Sequence, residues 1–384
     1  MKTLVCAAVG AAVGWMSMVG VARADKKPGG EARVGVTTRV FHPTNMVRNW
    51  RGDPEKDLRC TVWYPAVESA VEVRQEIGPK DAAGKPEGAP LFEAGMAAPG
   101  AALAEAPGGA KSHGWPMVLL SHGTGGSAMQ MAWLGTALAR AGFIAVAVDH
   151  PGNNANGKLT PEGMALWWER ATDLSQVLDG MLADEEFGKK IDQERVGAAG
   201  YSLGGYTVLE LAGAQTDVSE MLALCKENAD AAVCNVPEMR GMGTPEEILH
   251  AVRKTSAISL AQSADLFSDD RITAVFAMAP ALGFTMTEES LRAIRVPLEM
   301  VVGEDDNIAP PRDNAAYVRN EVRGAKLTLL PHVGHYTFLD TCTAEGKKKQ
   351  ERYCEDSKEV DRDAVHARVA GMAVGFFERS LRGK

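Results

Sequence analysis

Gly200-Tyr201-Ser202-Leu203-Gly204 constrains this chain more than any other stretch. Val196 to Ala199, just before it, are small and apolar, as a buried central strand requires. Val208, Leu209, Leu211 and Ala212, just after it, continue as the buried side of a helix. A G-x-S-x-G between a strand and a helix is the pattern of a nucleophile elbow, where the serine sits at a strained corner with its Oγ exposed. The flanking glycines let neighbouring backbone pass close to that corner. The first helical turn offers free N–H groups to a developing negative charge. In a chain with 40 glycines in 384 residues, the pentapeptide alone arises by chance about 0.1–0.2 times. The alternative is then a glycine-rich turn before an ordinary helix. The strand and helix around it favour the elbow, so the rest of the chain has to supply a base, an acid and an oxyanion site.

Acyl transfer through serine needs a base to take the hydroxyl proton and an acid to orient that base. The chain order Ser…Asp/Glu…His goes with this kind of elbow. Gly303-Glu304-Asp305-Asp306-Asn307-Ile308-Ala309-Pro310 follows one apolar run, and Val333-Gly334-His335-Tyr336 follows the next. His335 is the expected base. His332 competes, but it directly follows a strand and Pro331 and should lie lower on the sheet. Asp306 is expected to be the acid, ahead of Asp305 and Glu304, because its spacing to Pro310 puts it on the turn rather than at the strand exit. A solvated acidic loop is the alternative for this run.

The oxyanion site should combine the Leu203 N–H with a loop after an earlier strand. Ser121-His122-Gly123-Thr124-Gly125-Gly126 is such a loop, and Thr124 is its best-placed donor. A phosphate-cradling loop is the weaker alternative, because G-x-x-x-x-G-K-[ST] is absent. His122 is expected to be a structural hydrogen-bonder. His150-Pro151-Gly152-Asn153-Asn154 ends the next strand on the same face. His150 and Asn153 are therefore candidate substrate-binding residues, with a plain turn as the alternative. Trp167 is a third candidate, although helical spacing makes either it or Trp168 a core residue.

The N-terminus reads as an export signal over residues 1–24. Lys2 is its charged start, Leu4 to Val21 its apolar stretch, and Ala22-Arg23-Ala24 its cleavage site. An uncleaved anchor is the alternative. The mature chain, 25–384, is expected to lie in the periplasm or outside the cell, with no later segment able to span a bilayer. In that setting Cys225/Cys234 and Cys342/Cys354 each close a short polar loop, and Cys60 is left as a buried thiol. A metal site competes for these cysteines, but no C-x-x-C or nearby histidine pair accompanies them. No metal and no cofactor are expected. A net charge of −9 argues against nucleic acid as a partner.

Strand patterns alternate with helical ones, which implies an α/β fold with a mostly parallel sheet covered on both faces. Arg33–Phe41 and Leu58–Tyr64 read as an antiparallel pair at the sheet edge. Residues 78–115, crowded with Gly, Ala and Pro, read as a surface excursion. Residues 215–268 lack strand signals and read as a helical insertion in the position of a lid. The whole of 25–384 is expected to be one domain.

These pieces resemble the α/β-hydrolase superfamily. More narrowly, they look like its secreted branch described as predicted dienelactone hydrolases, related to bacterial platelet-activating-factor acetylhydrolase-like esterases. The resemblance rests on Val62-Trp63-Tyr64-Pro65, Leu120 to Gly126, Asp149-His150-Pro151-Gly152, Gly200 to Gly205, Val302 to Asp306 and Gly334 to Leu339. It implies an ester hydrolase working through Ser202, Asp306 and His335 on a small-molecule ester, short-chain or aryl. Dienelactone hydrolases carry a cysteine nucleophile where this chain has Ser202, so that label says little about substrate. Two other readings remain open at this point: acyl transfer to an acceptor other than water, and a catalytically silent binding protein on the same fold.

Overall fold

The apolar runs on either side of the elbow become neighbouring strands. The computed structural model describes residues 32–43, 57–79, 86–108 and 113–381. The expected export signal at 1–24 lies outside the described residues. Eleven strands form one sheet: β1 (Arg33–Phe41), β2 (Leu58–Ala66), β3 (Val73–Ile77), β4 (Phe92–Pro99), β5 (Trp115–Ser121), β6 (Ile144–Val148), β7 (Ile191–Tyr201), β8 (Ile272–Met278), β9 (Leu298–Gly303), β10 (Lys326–Leu330) and β11 (Thr341–Cys342). Their order is β10-β9-β8-β7-β5-β6-β2-β1-β4-β11, with β3 paired to β4. The run from β6 to β10 is parallel throughout. Its central strands are buried on both faces, which is why β5 and β6 read as unbroken apolar runs rather than alternating ones.

Helices cover both faces. Ala132–Arg140 packs with the C-terminal helix Arg362–Leu381, and Glu169–Ala183 packs with the elbow helix Leu203–Leu211. Phe377 of the C-terminal helix sits where a Cβ on Gly197 would be, 2.6 Å from it, so a larger residue in the elbow strand would push that helix off the sheet.

The register sets up the site. Ser121 pairs with Gly200, Tyr201 with Met278, Met278 with Val301 and Gly303 with Leu330. The carboxyl ends of β5, β7, β9 and β10 therefore finish side by side, and the loops leaving them face one crevice, the usual ligand position in a parallel sheet.

The first third of the chain departs from the sequence expectation. β1 and β2 do pair antiparallel, but β1 is not an edge strand, because β4 lies beyond it. β4 belongs to the stretch expected to be a surface excursion. Its buried residues are Ala94, Ala97 and Ala98, too small to give a strand signal in a Gly/Ala/Pro-rich background. Residues 215–268 carry the helices Val218–Glu227, Pro245–Thr255 and Ala257–Ala261. Thr244 and Glu247 close a capping box on the second of these. Among the described residues no helix is long and apolar enough to cross a membrane.

Candidate active site

The corner after β7 shows why its glycines are needed. Ser202 has φ 56° and ψ −119°, a conformation that costs a non-glycine residue strain energy. Its N–H donates to the Met278 carbonyl at 2.9 Å, and its carbonyl accepts from Ala281 and Tyr206, so the corner is pinned from β8 and from its own helix. A Cβ on Gly200 would lie 2.0 Å from the Gly204 carbonyl oxygen, and one on Gly204 would lie 1.9 Å from that of Ser121. Neither position admits a side chain. Leu203 opens the elbow helix, where a first-turn N–H has no intrahelical acceptor.

His335 begins a short 3₁₀ turn after β10, and Tyr201 holds it by donating its hydroxyl to the His335 carbonyl at 3.1 Å. His335 Nε2 lies 2.9 Å from Ser202 Oγ, and Nδ1 lies 2.7 Å from Asp306 Oδ2. Asp306 Oδ1 accepts the N–H groups of Ile308 and Ala309 at 3.0 and 2.7 Å, so the turn itself aims the carboxylate. The carboxylate only accepts, which puts the ring proton on Nδ1 and turns the Nε2 lone pair towards Ser202. The competitors lie elsewhere. Asp305 is 63 % exposed and 4.0 Å from His332, itself 61 % exposed, and Glu304 also faces solvent.

The loop carrying Thr124 is held from below. Gly125 donates its N–H to Asn153 Oδ1 at 2.8 Å, and Asn153 Nδ2 donates to the Gly163 carbonyl at 2.9 Å. Arg170, fully buried, donates to the His122 carbonyl, to Asn153 Oδ1 and to Ser121 Oγ. His122 Nε2 accepts the His150 N–H at 3.3 Å, so its Nδ1 carries the proton and donates to the Gly123 carbonyl at 2.6 Å. Burial holds the His122 ring well below its ordinary pKa, and the Arg170 charge adds to this.

His150, Asn153 and Trp167 do not line the cavity above Ser202, contrary to the sequence expectation. His150 is fully buried, with Nδ1 2.7 Å from Asp173 and Nε2 2.9 Å from Ser121 Oγ. Asn153 is spent on the loop. Trp167 is buried and donates to the Met164 carbonyl at 2.6 Å, packed edge-on against Trp168. A strand-end position suggested site residues, but Asp173 and Arg170 of the Glu169–Ala183 helix take up the polar groups of His150 and Asn153.

The cavity itself measures about 320 Å³ and contains Ser202, His335 and Thr124 in its lining. Part of the rest of its wall comes from segments that carry no motif. Ile77 and Phe92 stand on β3 and β4, and Gln130 lies on the 3₁₀ turn after the Thr124 loop. Val236 and Glu238 come from the 215–268 segment, and Tyr353 from the loop closed by the Cys342–Cys354 disulfide. Tyr353 donates its hydroxyl to Glu238 at 3.1 Å, joining these last two walls. Cys225 and Cys234 are also bonded, just ahead of Val236. Cys60 is free and buried, and burial pushes its thiol up. Among the described residues no group of three metal-ligating side chains occurs.

Comparison with known proteins agrees with this arrangement. The model of the alpha/beta hydrolase family matches residues 117–345. The chain belongs to the alpha/beta hydrolase family. The model of platelet-activating factor acetylhydrolase, isoform II, matches residues 17–160. Lipase 1 of Moraxella sp. (strain TA144) is 34% identical over 92 residues, 24% of this chain and 26% of that protein. Cutinases est1 and est2 of Thermobifida alba are each 31% identical over 109 residues, 28% of this chain and 33% of each cutinase. The alignments thus span a quarter to a third of the length of these curated relatives. The solved ferulic acid esterase from Streptomyces cinnamoneus superposes with a TM-score of 0.56 at 20% identity, covering 94% of this chain and 93% of that one, and shares the fold.

The alpha/beta hydrolase match contains Thr124, Ser202, Asp306 and His335. Ile77 and Phe92 lie before it, and Gln350 and Tyr353 after it. This family member therefore builds part of its cavity wall from segments outside the matched core.

Proposed function

We propose that this chain hydrolyses carboxylic esters through a covalent serine intermediate. The observation that carries the reading is the buried chain Ser202 Oγ–His335 Nε2 and His335 Nδ1–Asp306 Oδ2, at 2.9 and 2.7 Å, with Ser202 at the floor of a cavity. His335 takes the Ser202 proton as Oγ attacks the ester carbonyl. The N–H groups of Leu203 and Thr124 hold the oxyanion. His335 then protonates the departing alcohol, leaving an acyl-serine, and water repeats the cycle to release the acid and restore Ser202. Asp306 keeps His335 in the required tautomer and stabilises its charged form. Short-chain or aryl esters suit the cavity, whose size is at the lower end of ligand sites. The sequence pattern of an export signal at 1–24 and the two disulfides support action outside the cytoplasm.

Ser202→Ala is expected to abolish p-nitrophenyl acetate hydrolysis, and a fluorophosphonate probe should label the native protein at Ser202 alone. Unchanged hydrolysis by the variant removes Ser202 from the mechanism. Failure of folded native protein to take the label favours a binding protein instead.

A further inference from the structure

Native proteins rarely leave a buried polar atom without a partner, so each exception asks for a cause. Among the described residues six buried side-chain atoms lack one, and three of the six sit on two residues that line the cavity over Ser202. They are both carboxyl oxygens of Asp340 and Oε1 of Gln130. Asp340 is 2 % exposed and lies five residues after His335. Gln130 follows the Thr124 loop on the turn Ala128–Met131.

We propose that Asp340 and Gln130 form a subsite for a hydroxyl group carried by the ester substrate. This rests on the ester-hydrolase reading above and assigns its substrate class. Burial pushes the Asp340 carboxyl well above the usual range, more than the Arg362 charge can offset. The backbone N–H groups of Trp133 and of Asp340 itself favour the charged form, yet neither is in hydrogen-bonding geometry with a carboxyl oxygen. A neutral carboxyl presents one O–H donor beside acceptors, and the Gln130 oxygen is a further acceptor. A hydroxyl matches that set, because it accepts from Asp340 while donating to a neighbouring oxygen. An ether oxygen can only accept, and a methyl group leaves every partner unmet. A carboxylate ligand could accept from the Asp340 O–H but would set its remaining oxygen against the Gln130 acceptor. Ile77, Phe92 and Leu339 line the same cavity and give the carbon skeleton an apolar bed.

The test uses matched esters in which the substituent hardly alters the basicity of the leaving alkoxide. On the acyl side these are methyl 4-hydroxyphenylacetate, its 4-methoxy analogue and methyl phenylacetate. On the alcohol side they are the acetates of 2-(4-hydroxyphenyl)ethanol and 2-phenylethanol. Native enzyme is expected to favour the hydroxylated member of one series by about 10–100-fold in kcat/KM. Asp340→Leu should bring that ratio to about 1, and Gln130→Leu should lower it. Asp340→Asn keeps a donor beside an acceptor and should retain most of it. Because Asp340→Leu removes an unpartnered buried carboxyl, its Tm should rise. Turnover by native enzyme with no hydroxyl preference in either series overturns the subsite and leaves the hydrolase reading standing. So does a preference that survives in Asp340→Leu while its Tm falls, which would make Asp340 a purely structural group. Failure of every ester to turn over overturns both.

Discussion

Replacing Asp306 by asparagine changes one atom type and should nearly silence the protein. Asp306 Oδ1 already accepts two backbone N–H groups, from Ile308 and Ala309. In the variant these donors hold the amide oxygen on their side, so the amide nitrogen must face His335 Nδ1. Turning the amide over would instead set its NH2 against both backbone donors, at about 1–3 kcal/mol for each donor left unmet. His335 Nδ1 must then accept, its proton moves to Nε2, and Ser202 faces an N–H that cannot take its proton. The expected loss in kcat is about 10⁴, as in serine proteases carrying the same change, or about 5 kcal/mol of barrier. Asp305→Asn is the control. That side chain is mostly solvent-exposed and comes no closer than 4.0 Å to the His332 ring, so kcat should stay within about threefold. Both variants are compared by p-nitrophenyl acetate turnover, normalised to folded protein by their Tm. An active Asp306→Asn with a dead Asp305→Asn would place the acid one residue earlier, and two active variants would remove the acid from this loop.

Three further outcomes are expected. Asn153→Leu removes the acceptor that fixes the Gly125 N–H and should lower kcat about 10–100-fold with a smaller effect on KM, less than the outright loss of an oxyanion donor; an unchanged kcat would show that the loop needs no such anchor. Replacing Cys342 and Cys354 by serine should cost about 3 kcal/mol in denaturant unfolding and raise KM, because the loop they close carries Gln350 and Tyr353 of the cavity wall. His366 stacks on Trp133 and is held neutral by burial, its pKa pulled from 6.5 down to about 4. The unfolded chain therefore binds the extra proton between about pH 6.5 and pH 4, so stability falls as the pH drops through that window, and His366→Gln should flatten the fall in Tm measured by calorimetry.

The sequence carried the parts of the site that backbone geometry forces. Gly200 and Gly204 have no room for a Cβ, so the elbow is written in residue identity. Asp306 is legible against Asp305 because a turn back to Pro310 needs a short acceptor for its own N–H groups. The cavity walls are a different case. Glu238 and Tyr353 stand on single helical turns and Asp340 on a loop, segments too short for a period to tell which side chain points inward. β4 was hidden by its alanines. His150 departs from the expectation for a physical reason: a polar residue at a strand's carboxyl end is where ligands bind, unless side chains of the protein itself, here Asp173 and Ser121, occupy its ring nitrogens. The available hint was Arg170 and Asp173, two charges that fall at the 3–4 spacing of the apolar positions Leu174, Val177, Leu178 and Met181, where burial demands polar partners.

Ser121, His150 and Asp173 stand in the same relation as Ser202, His335 and Asp306, with the same 2.9 and 2.7 Å separations. On the mechanism proposed above, the molecule thus holds a decoy. Ser121 ends an extended strand with its Oγ receiving a hydrogen bond from Arg170, and none of its three members meets solvent. Distances alone do not distinguish the two trios; a bent backbone and an open approach do. The decoy would also deceive mutagenesis, because His150→Ala would lower activity by slackening the bed under the Thr124 loop and so imitate the loss of a general base. Covalent labelling would tell the two histidines apart, since on the proposed mechanism a slackened bed lowers the yield of reactive protein while the label stays on Ser202.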